Sequence, residues 1–133
     1  MAKQFGFGRK ERLKSRKQID LLFKDGKSFT INPLKTIYRF IPADEGIIQV
    51  GVSVSKRNFK KAVDRNRIKR LMREAYRLQK VEINSGSTQQ KTRGHIFFIY
   101  VGKSMVPFQI IKEAMKKSLD KLVKLAAIHE VHS

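Results

Sequence analysis

Residues 47–80, IIQVGVSVSKRNFKKAVDRNRIKRLMREAYRLQK, decide the fold because a strand pattern and a helix pattern follow one another there. Aliphatic side chains occupy every second position from Ile48 to Val54, with small polar residues between them. This alternation predicts a strand over 47–55 with one buried face. The small polar face suits either a flat partner or ordinary solvation. Residues 62–80 then follow a helical period, which predicts a helix.

The predicted helix over 62–80 separates its apolar and cationic residues onto opposite sides. The apolar side holds Ile68, Leu71, Met72, Ala75 and Leu78. The polar side holds Arg65, Asn66, Lys69, Arg70, Arg73 and Arg77. A helix that only needed solubility would alternate acidic and basic residues, because like charges four residues apart repel. Arginine forks bind phosphate oxygens in pairs, so this face indicates a nucleic-acid partner.

The remaining elements are predicted as helices over 16–24 and 107–128 and strands over 27–31, 36–41 and 95–101. A turn at 42–46 predicts that the strands over 36–41 and 47–55 form a hairpin. The strand over 95–101 is apolar on both faces, so we expect it inside the sheet. The element order α-β-β-β-α-β-α predicts one α+β domain with about four strands and three helices.

Three segments of this single domain over 1–133 lack such patterns. Residues 1–15 are basic and interrupted by glycine, which predicts a flexible arm. Residues 82–94 include a polar low-complexity run, which predicts a mobile loop. Residues 129–133 are expected to form a frayed tail.

Composition limits the classes of function. The chain has 133 residues, of which 30 are Lys or Arg and 11 are Asp or Glu, so its formal charge is +19 and a polyanionic partner is expected. The lack of cysteine excludes a disulfide framework, a thiolate nucleophile and a Cys-ligated zinc site. No apolar run approaches the roughly 20 residues of a membrane span, and no signal-peptide pattern begins the chain. We therefore expect a cytoplasmic protein without a membrane partner.

No catalytic or metal site is predicted from the residues themselves. A nuclease acting alone would need a general base and acid or a cluster of carboxylates, and the acids here are scattered. His129 and His132 lie in the predicted tail, and His95 is interpreted as a strand-end residue. Asp64 is interpreted as a first-turn acid that complements the helix dipole.

Residues in and around the basic helix resemble the protein subunit of bacterial ribonuclease P. The block Arg65-Asn66-Arg67-Ile68-Lys69-Arg70 carries most of the resemblance, together with Arg73-Glu74-Ala75, Ala62-Val63 and Ser55-Lys56-Arg57. Further matches are Arg12-Leu13, Phe23 with Gly26, and the run from Val50 to Val54, so the resemblance covers about residues 12–125. It implies a protein that assists a catalytic RNA in the endonucleolytic removal of the 5′ leader from precursor tRNA. In that holoenzyme this chain would carry no catalytic site of its own.

The resemblance also implies roles for particular residues. Candidate contacts to the catalytic RNA are Arg65, Asn66, Arg67, Lys69, Arg70, Arg73 and Arg77. A cleft between the first helix and the sheet is expected to bind the leader and precursor tRNA, through Arg12, Ile19, Phe23, Tyr38, Lys56, Arg57, Lys60 and Lys61. The implied partners are ribonuclease P RNA and precursor tRNA, and a protein oligomer is not required. Mg²⁺ would be required by the RNA and not bound tightly by the protein.

The family fold, ribosomal protein S5 domain 2-like, further implies a left-handed strand-helix-strand crossover through the basic helix. General rules favour the right-handed connection, which holds in about 98% of such units.

Two other classes of function remain open on the sequence. A structural rRNA-binding protein of ribosomal type would share the charge, the size and the basic helix. An open groove with aromatic residues beside the sheet would distinguish the two, because a ribosomal protein needs no platform for a single strand. A membrane-surface protein is a weaker alternative, because the apolar side of the basic helix suits a core and the chain has no Trp.

Overall fold

The computed structural model describes residues 12–42, 47–80 and 92–132. Its elements in chain order are α1 (Arg16–Asp25), β1 (Lys27–Ile31), β2 (Leu34–Pro42), β3 (Ile48–Val54), α2 (Ala62–Gln79), β4 (Thr92–Tyr100) and α3 (Phe108–His132). The predicted α+β class, with three helices and a four-stranded sheet in one domain, is therefore confirmed.

The strand order in the sheet is β1-β2-β4-β3. β1 and β2 are antiparallel neighbours, β2 and β4 are antiparallel, and β3 lies parallel to β4. The predicted hairpin between 36–41 and 47–55 is wrong, because β4 lies between β2 and β3. This order gives β4, which is apolar on both sides, a neighbour along each edge, as predicted for an interior strand. β3 reaches its parallel neighbour β4 through α2, and the handedness of that crossover stays a prediction.

Alternate side chains of β4 enter two separate apolar clusters. Ile96, Phe98 and Tyr100 are fully buried on the face that α2 and α3 cover. Phe97 and Ile99 point to the opposite face, where α1 lies. The sheet therefore has a thick core on one side and a thinner, partly covered apolar surface on the other.

The main core forms where α2 and α3 pack together against the sheet. α2 buries Ile68, Met72 and Ala75 as its period predicts, and also Tyr76, whose ring lies 6.2 Å from that of Phe98. Leu78, predicted on the apolar side, is 39% exposed. The buried stripe of α2 therefore includes Tyr76 and leaves Leu78 at its edge.

The second cluster lies under α1, with Leu22, Leu13 and Ile37 buried at its centre. Ser15 caps the start of α1 by accepting a hydrogen bond from the Gln18 backbone N–H at 3.3 Å. The Leu13 N–H donates to the Val50 carbonyl at 3.0 Å and so joins this segment to β3. Residues 12–15 of the predicted arm are thus part of the fold, and residues 1–11 lie outside the described residues.

Two predicted boundaries also move. β4 begins at Thr92, so the last three residues of the predicted loop over 82–94 belong to a strand, and residues 82–91 lie outside the described residues. α3 extends to His132, into the predicted tail over 129–133. Within the described ranges, no helix is both long enough and apolar enough to cross a membrane.

The packing of α2 predicts unequal costs for two apolar truncations. Met72→Ala should lower the free energy of unfolding by about 2–5 kcal/mol, because a fully buried side chain leaves a cavity. Leu78→Ala should cost less than about 1 kcal/mol, because that side chain is partly in water. Urea unfolding of both variants measures the difference, and equal losses would show that the helix is rotated relative to this description.

Candidate nucleic-acid interface

The cationic side of α2 faces solvent along the middle of the helix. We define the basic face by its accessible members, which are Asn66, Arg67, Lys69, Arg70 and Arg73. Four of them are exposed and Lys69 is half-buried. These side chains come from two successive turns of one helix, so the four charges and the Asn66 amide lie within reach of neighbouring phosphates on a nucleic-acid strand.

Arg65 is engaged within the protein. Its Nη1 atom donates to the Phe59 carbonyl at 2.7 Å and to the Lys60 carbonyl at 2.8 Å. These bonds hold the β3–α2 connection against the first turn of α2, where Lys61 supplies no side-chain cap. Arg65 is therefore a residue that positions the basic face, whether or not it also touches RNA.

Arg77 is also paired. Its guanidinium donates to both carboxylate oxygens of Glu74, with 3.1 Å between Nε and Oε2. The hydrogen bond from Arg77 lowers the pKa of Glu74 below its usual range. The pair leaves little net charge at this end of the helix, so Arg77 contributes less to the basic face than its residue type predicts.

The connection from β3 to α2 follows a defined path. Asn58 Nδ2 lies 3.3 Å from the carbonyl oxygens of both Val101 and Gly102, and the Phe59 ring packs 5.8 Å from that of Tyr100. The predicted cations of this connection are all exposed around the anchored residues, and they are Lys56, Arg57, Lys60 and Lys61.

Two aromatic rings pack against each other on the α1 side of the sheet. The rings of Phe23 and Phe97, which we call the ring pair, meet edge to face with centroids 5.3 Å apart and planes at 82°. Phe97 lies across Gly51, where an added Cβ would come within 2.5 Å of the ring. Phe23 is half exposed. Gly51 therefore allows the close approach of the Phe97 ring, and the ring pair offers solvent-accessible aromatic surface beside α1.

Tyr38 does not share this surface, so its predicted place in the same cleft as Ile19 and Phe23 is wrong. Tyr38 pairs across the sheet with Ile96 and packs beside Phe29 and Phe40 on the opposite face. Burial raises its pKa above the usual value. Its neighbour Ile37 faces α1 instead, because a shift of one residue along a strand reverses the face.

A cavity of about 350 Å³ joins the α1 side to the basic face. Its walls are formed by Arg12, Leu13, Lys14, Ile19, Val50, Gly51, Val52, Arg73 and Phe97. The volume is within the usual range for ligand-binding cavities. An apolar floor with three cations around it suits a nucleotide, whose base is flat and whose phosphate is anionic. Of the predicted leader-binding residues, the cavity brings Arg12 and Ile19 together.

Sequence patterns alone missed four residues of this region. Phe97 and Gly51 are cross-strand partners in parallel strands, so their contact required knowledge of the strand order. Lys14 lies in the segment that is predicted as a flexible arm. Val63 is 77% exposed and lies three residues before Asn66. A helical wheel places this apolar residue outside the predicted apolar side, and that position is the one sequence signal for it.

A family model and similar sequences point to the same protein family. The family model described as Ribonuclease P matches residues 7–124. Two sequences from strains of Porphyromonas gingivalis, each named ribonuclease P protein component, are 39% and 38% identical over 116 and 117 residues. In both cases the match spans 86% of this chain and 85% of the relative.

Solved structures agree in fold. The ribonuclease P protein from Thermotoga maritima superposes with a TM-score of 0.65 at 28% identity, covering 84% of this chain and 96% of that one. The corresponding protein from Staphylococcus aureus gives a TM-score of 0.64 at 22% identity, covering 86% and 95%. At that lower identity, the likeness concerns the fold alone.

Proposed function

This chain belongs to the ribonuclease P protein family, and we propose that it assists removal of the 5′ leader from precursor tRNA by binding two RNA segments at once. Membership makes the chain a protein component of ribonuclease P, whose partner is the ribonuclease P RNA and whose process is tRNA maturation. We assign the basic face of α2 to that RNA and the ring pair with its cavity to the leader. We propose that the protein acts in the cytoplasm and that one copy of the chain is sufficient for its function.

The observation that carries the proposal is the ring pair beside the cavity. A single-stranded leader has no fixed sequence, so its binding site has to accept any base. Aromatic faces do this because every base has a flat surface that can stack. Phe97 packs closely against Gly51, Phe23 stands half exposed against it, and Arg12, Lys14 and Arg73 surround the adjacent cavity. The same groove disfavours the ribosomal alternative, as does the family membership.

Arg73 connects the two proposed surfaces. It belongs to the basic face of α2, and it also lines the cavity next to Phe97. A strand bound in the cavity would therefore share Arg73 with the RNA bound to α2. This closeness supports a role in which the protein holds the leader near the catalytic RNA.

The chemistry is proposed to reside in the RNA. Within residues 12–42, 47–80 and 92–132, no three His, Asp or Glu side chains lie close enough together to bind a metal ion. Hard cations such as Mg²⁺ prefer several oxygen ligands, which these residues do not fit as a group. We therefore assign the required Mg²⁺ to the RNA subunit. The positive charge of the protein would lower the Mg²⁺ concentration needed, by screening repulsion between RNA strands.

Binding to the RNA subunit should depend on salt in proportion to the phosphates contacted. Arg67→Gln and Arg70→Gln should each reduce the slope of log K against log salt by about 0.7–0.9, because each removes one phosphate contact. Filter binding between 50 and 400 mM KCl, in steps on the order of 50 mM, measures the slope over the range where counterion release dominates.

Lys117→Gln is the matched control, because it removes one exposed positive charge from α3. Its slope should stay that of the parent protein. Arg70→Lys should keep the slope and still lose affinity, because a lysine lacks the planar fork. If Lys117→Gln changed the slope as much as Arg67→Gln, RNA binding would depend on net charge and not on the basic face.

Removal of the exposed ring should affect only RNA that carries a leader. Phe23→Ala should weaken holoenzyme binding to precursor tRNA by about 1–3 kcal/mol, because a stacked base loses its platform. Binding of mature tRNA and assembly with the RNA subunit should be unchanged. Fluorescence anisotropy with labelled precursor and mature tRNA measures the difference.

Leu21→Ala provides the control on the same helix, where Leu21 is 38% exposed against 50% for Phe23. It should bind precursor tRNA like the parent protein. If Phe23→Ala weakened the binding of precursor tRNA and mature tRNA equally, the leader would not bind at this surface.

A further inference from the structure

A second set of polar residues lies on the α1 side of the sheet, one step along β4 from the ring pair. His95 precedes Phe97 by two residues and points to the same face. Its direct cross-strand partners are Arg39 on β2 and Gln49 on β3. Arg93 lies two residues before His95 and shares that face. We call Arg39, Arg93 and His95 the phosphate cluster.

Two nitrogen atoms of this cluster are buried without a hydrogen-bond partner in the described part of the chain. They are Nε2 of His95, a residue only 5% exposed, and Nε of Arg93. Folded proteins pair nearly all such groups, because a buried donor without an acceptor loses its bonds to water. Two unpaired nitrogens from one strand on one face therefore indicate a binding site for a group that accepts hydrogen bonds.

The charge around these atoms specifies the kind of acceptor. Burial, and then the positive charges of Arg93 and Arg39, lower the pKa of His95 below its usual value. Arg39 lies directly across from His95 in the sheet and Arg93 lies two residues before it on the same face. Neither arginine forms an ion pair with a carboxylate within the described residues. Two arginines without a carboxylate partner in the described part of the chain, beside a buried imidazole nitrogen, favour an anion with several acceptor oxygens. A phosphate group has this chemistry, and arginine forks match its geometry.

We propose that Arg39, Arg93 and His95 bind a phosphate group of a single-stranded RNA whose neighbouring base lies on the ring pair. The proposal rests on the proposed function, because it extends the same strand along β4. The spacing fits, since two residues of a strand span about 6.6 Å, close to the distance between a base and the phosphate of the next nucleotide. The guanidiniums bind non-bridging oxygens, and His95 in its Nε2–H tautomer donates to a third oxygen.

In this proposal, different residues bind the base and the backbone of the RNA. The ring pair would accept any base, whereas the phosphate cluster would fix the position of the backbone beyond it. A strand held at both points would follow one line across the sheet, between the cavity near Arg12 and the start of β4. A free phosphate or a terminal nucleotide phosphate could use the same cluster, so the test compares these sources.

The experiment measures affinity and the state of His95 in the full-length protein. The probes are a single-stranded RNA of about ten nucleotides, typical of the site size of single-strand platforms, and inorganic phosphate. The double variant Arg39→Gln/Arg93→Gln should bind the RNA about tenfold or more weakly, because two phosphate contacts are lost. The double variant Lys116→Gln/Lys117→Gln, which removes the same charge from exposed positions of α3, should bind within about twofold of the parent protein.

Nitrogen-15 NMR of the histidine side chains gives the second readout. The RNA should shift the Nε2 resonance of His95 in the parent protein and not in Arg39→Gln/Arg93→Gln. Saturation by inorganic phosphate at the same concentration of phosphate groups would support the site and identify free phosphate as its ligand. The site is disproved if neither probe shifts His95, or if both double variants weaken RNA binding equally.

Two further variants keep the result independent of folding and of the leader assignment. Arg39→Lys/Arg93→Lys keeps both charges and should restore part of the affinity if the first double variant fails to fold. Phe23→Ala should weaken RNA binding without preventing the shift of His95 at saturating RNA. A His95 shift with no effect of Phe23→Ala would retain the phosphate cluster and reject the ring pair as the leader platform.

Discussion

The alternation of side chains along β4 determines what each face of the molecule does. Because successive residues of a strand point to opposite faces, Ile96, Phe98 and Tyr100 fill the core under α2 and α3. The side chains of His95 and Phe97, which alternate with these residues, therefore point to the α1 side. The central position of β4 then brings β2 and β3 alongside, and with them Arg39 and Gly51. The aromatic and cationic surface follows from the same strand that builds the core.

The basic helix depends on that core. Its cationic side brings like charges together, which opposes folding, and burial of Met72, Ala75 and Tyr76 offsets this cost. The helix also reduces its own repulsion, since Arg65 binds backbone carbonyls and Arg77 binds Glu74. The middle of the helix therefore presents the net positive charge, in Arg67, Arg70 and their neighbours. A bound RNA would supply the anions that the protein surface lacks.

Local periodicity predicted the existence and type of six of the seven elements, because each of them has an apolar pattern of its own period. The short strand β1 was predicted from its place before Asn32-Pro33, without such a pattern. Strand order was not predictable in the same way. The turn residues after β2 favoured a hairpin with β3, whereas the two apolar faces of β4 required the interior position. The placement of Tyr38 in the cleft came from the family resemblance and not from a pattern in the residues. Alternation along β2 puts Ile37 and Tyr38 on opposite faces, and the strand pairing shows that Ile37 is the one that faces α1. The internal partners of Arg65 depend on the path of the preceding connection, which contains no periodic signal.

We expect this chain to act with a catalytic RNA and not alone. Cleavage of precursor tRNA by the cognate RNA subunit at low Mg²⁺, with and without the chain, tests this directly. The chain should accelerate release of the 5′ leader, and RNA-free chain should release none. Cleavage by RNA-free chain, or no acceleration of the RNA subunit, would show that the proposed function is wrong.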